Sequence, residues 1–287
     1  MNYIKYISSH DGTQLYTKIN TADELFSFGD ETINVIIVHG LAEHLDRYDE
    51  LTDYLVNYDY NVIRYDQRGH GRSEGPRAYY DNQDQIIEDL TAVVDYVKTH
   101  FEGKVFLIGH SMGGFAVSMF GTRFPGRVDG IITSGAVTRD NNQLFEEAYG
   151  ERQIPADTYF PNDMSDGLCS DPRVVENYQR DELVLKEVSM GLTYAIIDGV
   201  IELKSRPNDF VDDVLIMHGT ADGLVNPQDA LQFYSEIASE HKSLRLYDGL
   251  EHELFNESHY NNVIFEDVAS WITEMVARKN RELDTHY

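Results

Sequence analysis

A serine stands between two glycines in Gly109-His110-Ser111-Met112-Gly113, directly after a short β-branched run at 105–109 and just before an apolar helical stretch at 115–124. Strand, tight turn, then helix, with serine at the apex, is the context in which G-x-S-x-G marks a nucleophile. Glycines on both sides let the chain bend where a β-carbon would clash. The helix beyond aims free N–H groups and its positive dipole end at the reacting centre. The competing reading is a serine that only caps a helix; the strand in front of it favours the nucleophile.

A serine hydroxyl needs a base, and the base needs an orienting acid. Asp222, in Gly219-Thr220-Ala221-Asp222-Gly223, lies just past the end of a buried run at 214–219. Catalytic groups gather at that edge of an open parallel sheet. Of the eleven histidines, His252 alone follows both Ser111 and Asp222 and sits one short loop beyond a strand end. Asp248 and Glu251 are rival acids, but they stand so near His252 in sequence that they would struggle to reach Nδ1 while Nε2 faces Ser111. An oxyanion hole needs two backbone N–H donors. Met112, after the nucleophile, supplies one, and Leu41, in His39-Gly40-Leu41-Ala42, supplies the other.

Near-matches fail. Gly69-His70-Gly71 with Gly75 lacks dinucleotide spacing, and His252-Glu253 would need histidine at 256, where Asn256 stands. Cys169, the single cysteine, can form neither an intrachain disulfide nor a CxxC site. The reading requires no metal and no cofactor.

Short apolar runs at 35–39, 62–65, 105–109, 128–134 and 214–219 alternate with amphipathic stretches at 49–58, 83–101, 227–237 and 262–279. That rhythm predicts an α/β protein with a mostly parallel sheet. Runs at 3–8 and 14–19 flank Asp11-Gly12, a hairpin signal, and a last strand is expected at 244–247. The rhythm breaks between Ala136 and Arg206, where three prolines precede a helical run at 173–203 and no strand is legible. The expected organisation is a core of 1–135 and 207–287 with a helical cap inserted at 136–206. The tail from Asn280 is expected to fray.

The 287 residues are 41% hydrophobic, enough for a sizeable core. Lys and Arg number 23 against 50 Asp and Glu, a net charge of −27. Such a surface repels nucleic acid and anionic lipid headgroups, so neither is an expected partner. No secretory leader and no run of about 18 apolar residues is legible, which predicts a cytoplasmic protein without stable membrane insertion.

Together these segments resemble the α/β-hydrolase superfamily, and within it the monoacylglycerol lipase/lysophospholipase (serine aminopeptidase-like) group. His39-Gly40-Leu41-Ala42-Glu43-His44 with Arg47-Tyr48 is similar to that group's HGxxEHxxRY segment. The run from Asp66 to Gly75 looks like its DxRGHGxSxG segment, and Asp181-Glu182-Leu183-Val184 is close to a DPLV segment. The resemblance implies a cap whose apolar underside forms an acyl tunnel above Ser111, with Glu43, His44 and Arg47 bordering the alcohol end of the substrate. For Glu43 and Arg47 an ion pair within the loop is an equal alternative. Leu41 replaces a usually small residue, and Phe255 stands where some animal relatives carry histidine.

The expected activity is hydrolysis of a carboxylic ester through an acyl-enzyme on Ser111, the substrate being a monoacylglycerol or another single-chain lipid ester. Rival readings are a carboxylesterase for short or aromatic esters, a lysophospholipase, an acyltransferase, and a non-catalytic binding protein on the same scaffold. Peptidase activity would need acids for a substrate N-terminus, and Glu146, Glu147 and Glu151 are the candidates. An exposed apolar cap edge could serve as a homodimer contact.

Overall fold

Parallel strands buried on both faces need helices on both sides, and the apolar runs of this chain supply them. The computed structural model describes residues 2–22 and 32–284. In chain order the elements are β1 (Asn2–Ser8), β2 (Gln14–Asn20), β3 (Ile33–Val38), α1 (Asp49–Asn57), β4 (Tyr60–Tyr65), α2 (Gln83–His100), β5 (Lys104–His110), α3 (Met112–Arg123) and β6 (Gly130–Ser134). There follow β7 (Tyr159–Pro161), α4 (Pro172–Arg180), β8 (Glu187–Ser189), α5 (Met190–Ser205), β9 (Val214–Gly219), α6 (Pro227–Glu236), β10 (Lys242–Tyr247) and α7 (Asn261–Asp284).

One eight-stranded sheet runs β1-β2-β4-β3-β5-β6-β9-β10. Pairing is antiparallel for β1/β2 and β2/β4 and parallel for the rest. Register brings Val38 beside Gly109, His110 beside Ser134, and Tyr247 beside Gly219. The loops that leave β3, β5, β9 and β10 therefore start from one edge of the sheet, and each carries a candidate site residue.

Alternation along the strands splits the core. Ile36 and Val38 join Leu107 and Phe115 under α2, α3, α5 and α6, while Val35 and Ile37 join Phe106, Leu55 and Trp271 under α1 and α7. In α2 the buried residues Ile86, Leu90, Val93, Val94 and Val97 follow the helical period, and Asn82 caps its start by accepting from the Asp84 N–H at 3.0 Å.

Three expectations need correction. Residues 136–206 do contain strands: β7 and β8 pair antiparallel, Phe160 opposite Val188. Three-residue strands whose partners lie far apart in sequence leave no periodic trace. The expected helix at 173–203 is two, α4 and α5, because the chain leaves the helix at Asp181, whose carboxylate takes the Leu183 N–H at 2.8 Å. Helix α5 packs against α2 and α3, in the same layer as the core helices. Finally, α7 continues to Asp284 instead of fraying from Asn280, since Arg281, Glu282 and Leu283 are good helix formers. The last three residues of that expected tail lie outside the described residues.

Candidate active site

The turn from β5 into α3 forces Ser111 into a conformation that residues with side chains rarely adopt. Its φ is 55° and ψ −117°, and it precedes the first residue of α3. Its N–H donates to the Ser134 carbonyl at 2.9 Å, fixing the apex to the neighbouring strand. Only glycine fits at 113, where a β-carbon would come within 2.0 Å of the Val38 carbonyl oxygen. The expected helix start at 115 is in fact Met112, hidden in sequence by two weak helix formers, Gly113 and Gly114.

His252 meets its acid across thirty residues: Nδ1 lies 2.8 Å from Asp222 Oδ2. The other oxygen, Oδ1, accepts the N–H groups of Leu224 at 3.0 Å and Val225 at 2.9 Å. Burial pushes Asp222 up, but His252 and His218 outweigh it and hold the carboxyl well below the usual carboxylate range. Burial also presses His252 down, and Asp222, followed by Glu253 and Glu43, raises it above the ordinary histidine value. The rival acids play no part in this contact. Asp248 is exposed and accepts from Thr220 Oγ1, and Glu251 does not bond to the imidazole.

Ser111, His252 and Leu41 line one cavity of about 20 Å³ with Gly40, Met164 and Tyr178. A β-carbon on Gly40 would lie 3.2 Å from the Ser111 Cβ, so the loop after β3 rests against the serine. Met112, as first residue of α3, presents an N–H at the helix start. The cavity has room for about one water and far less than a substrate needs.

Glu43, His44 and Arg47 form an internal network. The Arg47 guanidinium donates to Glu43 Oε2 at 2.7 Å and to Glu253 Oε2 at 2.7 Å, and its carbon sits 4.9 Å from the centre of the Tyr178 ring. Glu43 Oε1 accepts the Gly40 N–H at 2.5 Å and the Tyr48 hydroxyl at 2.6 Å. His44 Nε2 lies 2.8 Å from Asp181. The ion pair within the loop is thus present, and both its partners are almost wholly buried.

Other candidates fall away from the cavity. Glu146, Glu147 and Glu151 are exposed. Burial pushes the Cys169 thiol up to about 12, leaving it unreactive. His110 packs 4.6 Å from the His252 ring, and burial holds it down to about 3, so it is neutral at the centre of the site.

Glu253, Tyr178 and Asp229 were not legible as site residues. Glu253 follows His252 directly, but its partner Arg47 is 206 residues away. Asp229, wholly buried, accepts the N–H groups of Thr138, Arg139 and Asp140 on Oδ2 and of Asn141 on Oδ1, pinning the start of the inserted segment. An acid in the first turn of a helix after Asn226-Pro227 was its only sequence signal.

A mostly parallel sheet with a strained serine at a strand–helix turn and an Asp–His pair on later loops defines an α/β-hydrolase-fold serine hydrolase. The family described as serine aminopeptidase, S33, matches residues 30–259, and the chain belongs to it. A monoacylglycerol lipase of Mycolicibacterium smegmatis is 30% identical over 244 residues, 83% of this chain and 87% of that one. Human monoglyceride lipase is 26% identical over 254 residues, 85% of this chain and 83% of its own. Among solved structures, a soluble variant of monoglyceride lipase from Saccharomyces cerevisiae, in complex with a substrate analogue, superposes with a TM-score of 0.80. It is 20% identical and covers 95% of each chain.

Proposed function

We propose that the protein hydrolyses the ester of a single acyl chain, a monoacylglycerol first, through an acyl-enzyme on Ser111. Ser111 Oγ attacks the carbonyl carbon and its proton passes to His252 Nε2. Asp222 keeps the imidazole in the Nδ1–H tautomer and offsets the charge that forms on it. The N–H groups of Met112 and Leu41 receive the developing oxyanion. His252 then returns the proton to the departing alcohol, and water, activated by the same imidazole, releases the acid.

The observation that carries this is the 2.8 Å contact between His252 and Asp222 on the wall that also holds the strained Ser111. The substrate class draws on the relatives' names and on the apolar group above the serine, where Leu168, Tyr178, Val184 and Leu224 cluster with Met164. We assign the cover over the site to about residues 139–189, shorter than the expected 136–206, because α5 packs with the core helices. Glu43 and Arg47 hold the loop after β3, and Glu43, which also lines the cavity, remains with His44 and Arg47 a candidate for the alcohol end of the substrate.

No helix among the described residues is long and apolar enough to cross a membrane. A cytoplasmic location remains part of the proposal. So does a homodimer through the cover, favoured by exposed Ile154 and Tyr159 and tested by sedimentation against concentration.

The decisive experiment measures fatty-acid release from a monoacylglycerol, from lysophosphatidylcholine of the same chain, and from a short soluble ester, with Ser111→Ala as blank. Preference for the monoacylglycerol supports the reading. Turnover of the short ester alone would leave the mechanism standing and remove the lipid substrate.

A further inference from the structure

The triad acid has a second imidazole on it. His218, at the end of β9, is wholly buried, and its Nε2 lies 3.0 Å from Asp222 Oδ2 and 3.0 Å from the Val225 carbonyl oxygen. Both neighbours can only accept, so Nε2 carries the hydrogen. Nδ1, also buried, has no hydrogen-bond partner among the described residues. A packing role alone would be filled by an apolar side chain without leaving a buried nitrogen unsatisfied. The Nε2–H is what this position supplies.

We propose that His218 is a positioning residue for the acid–base pair: its Nε2–H shares Asp222 Oδ2 with the Nδ1–H of His252 and thereby sets how strongly that carboxylate holds the catalytic imidazole. The inference rests on the triad reading of the preceding section. Two backbone N–H groups bond to Oδ1 and the His252 imidazole to Oδ2, while His218 Nε2, bonded to the Val225 carbonyl, stands 3.0 Å from that same Oδ2. Because Val225 gives its N–H to Asp222 and its carbonyl to His218, the same imidazole also ties down the turn that carries the acid.

A carboxylate oxygen shared by two donors is a weaker base toward each. Without His218 the negative charge on Oδ2 falls to His252 alone, and the imidazolium form of His252 gains. The other groups facing His252 are Glu253, Glu43 and His110, with Arg47 beyond them, and none bonds to His218.

The test begins with fluorophosphonate capture of Ser111 in the unaltered protein; absence of capture defeats the triad reading itself. With capture established, the acid limb of kcat/KM is compared in the unaltered protein, His218→Phe and His218→Gln. His218→Phe is expected to move the limb upward by on the order of one pH unit. His218→Gln, which restores an N–H donor, is expected to bring it most of the way back. Limbs that coincide in all three, even with Tm lowered in both variants, would overturn the proposal and leave His218 a packing residue. Should neither variant fold, nitrogen-15 imidazole spectra of the unaltered protein decide. In its neutral form His218 is expected as the Nε2–H tautomer, and an Nδ1–H tautomer overturns the proposal.

Discussion

Ser111, the proposed nucleophile, and the segment proposed to cover it are held in different ways. Ser111 is fixed by backbone: the β5 register, the hydrogen bond to Ser134, and a turn in which a β-carbon at 113 would collide with the next strand. The cover grips the loop after β3 mostly through polar and aromatic contacts. They are His44 with Asp181, Arg47 beneath Tyr178, and the Leu185 N–H donating to the Ala42 carbonyl at 2.8 Å. Leu168, Tyr178 and Val184 form a small separate apolar cluster with Leu224, while Phe145, Ala148 and Val188 of the same segment join the larger core. A cavity of about 20 Å³ is too small for a substrate, so on the proposed reading binding moves the cover, and the side-chain contacts to the loop after β3 are worth about 1 kcal/mol each.

Breaking the fixed half gives the largest effects. Ser111→Ala is expected to lower kcat by ~10³-fold or more on a short soluble ester, and a loss under tenfold would refute the nucleophile. Gly113→Ala attacks the frame under the serine and is expected to cost about 1–3 kcal/mol, read as a Tm lower by several degrees. Breaking the other half is gentler. Combining Tyr178→Ala with Asp181→Asn is expected to raise the rate of fluorophosphonate capture of Ser111 about three- to tenfold, and to lower Tm as well because Tyr178 is buried. An unchanged rate would mean that these contacts do not keep the site closed.

Protonation sharpens the same contrast. Burial opposes it, but Asp222 holds the pKa of His252 above its ordinary value. Catalysis needs the neutral base, so kcat/KM is expected to fall below a limb that lies above about pH 6.5. That raised value also stabilises the fold below His252's unfolded pKa, a contribution lost as pH climbs through the folded one. Asp222 works in the other direction, stabilising above its unfolded pKa and ceasing to do so as pH drops toward its depressed folded value. The smallest effect lies far from the site. Burial raises Asp212 to about 6, so its ionisation costs stability as pH rises from about 4 through 6. Asp212→Asn, which keeps an acceptor for the Gly126 N–H, is expected to raise Tm by a few degrees at neutral pH and by nothing near pH 4.

What the sequence made legible follows the same division. The central strands could be read because burial on both faces leaves unbroken apolar runs, and β9 lies at 214–219 as expected. Ser111, Asp222 and His252 could be read because each is placed by the end of a strand. The cover could not, because its form depends on distant partners. Nothing local in Tyr159-Phe160-Pro161 announces a strand paired with Val188, nor in Asp181 a contact with His44. Glu43 and Arg47 could be read as a pair within one loop, but nothing local announced Glu253 on the far side of the guanidinium.

The bond from Arg47 to Glu253 also says when this enzyme can begin to work. It joins residues 206 apart, and the loop bearing Glu253 also bears His252. A chain still being synthesised can form β3 to β6 and the serine turn, yet it lacks a base, an acid and the clamp on its first loop. Long-range contacts of this kind form late, because the closure of so large a loop must be offset by structure already in place. On the proposed mechanism, a chain that ends before Asp222 carries the serine with neither its acid nor its base.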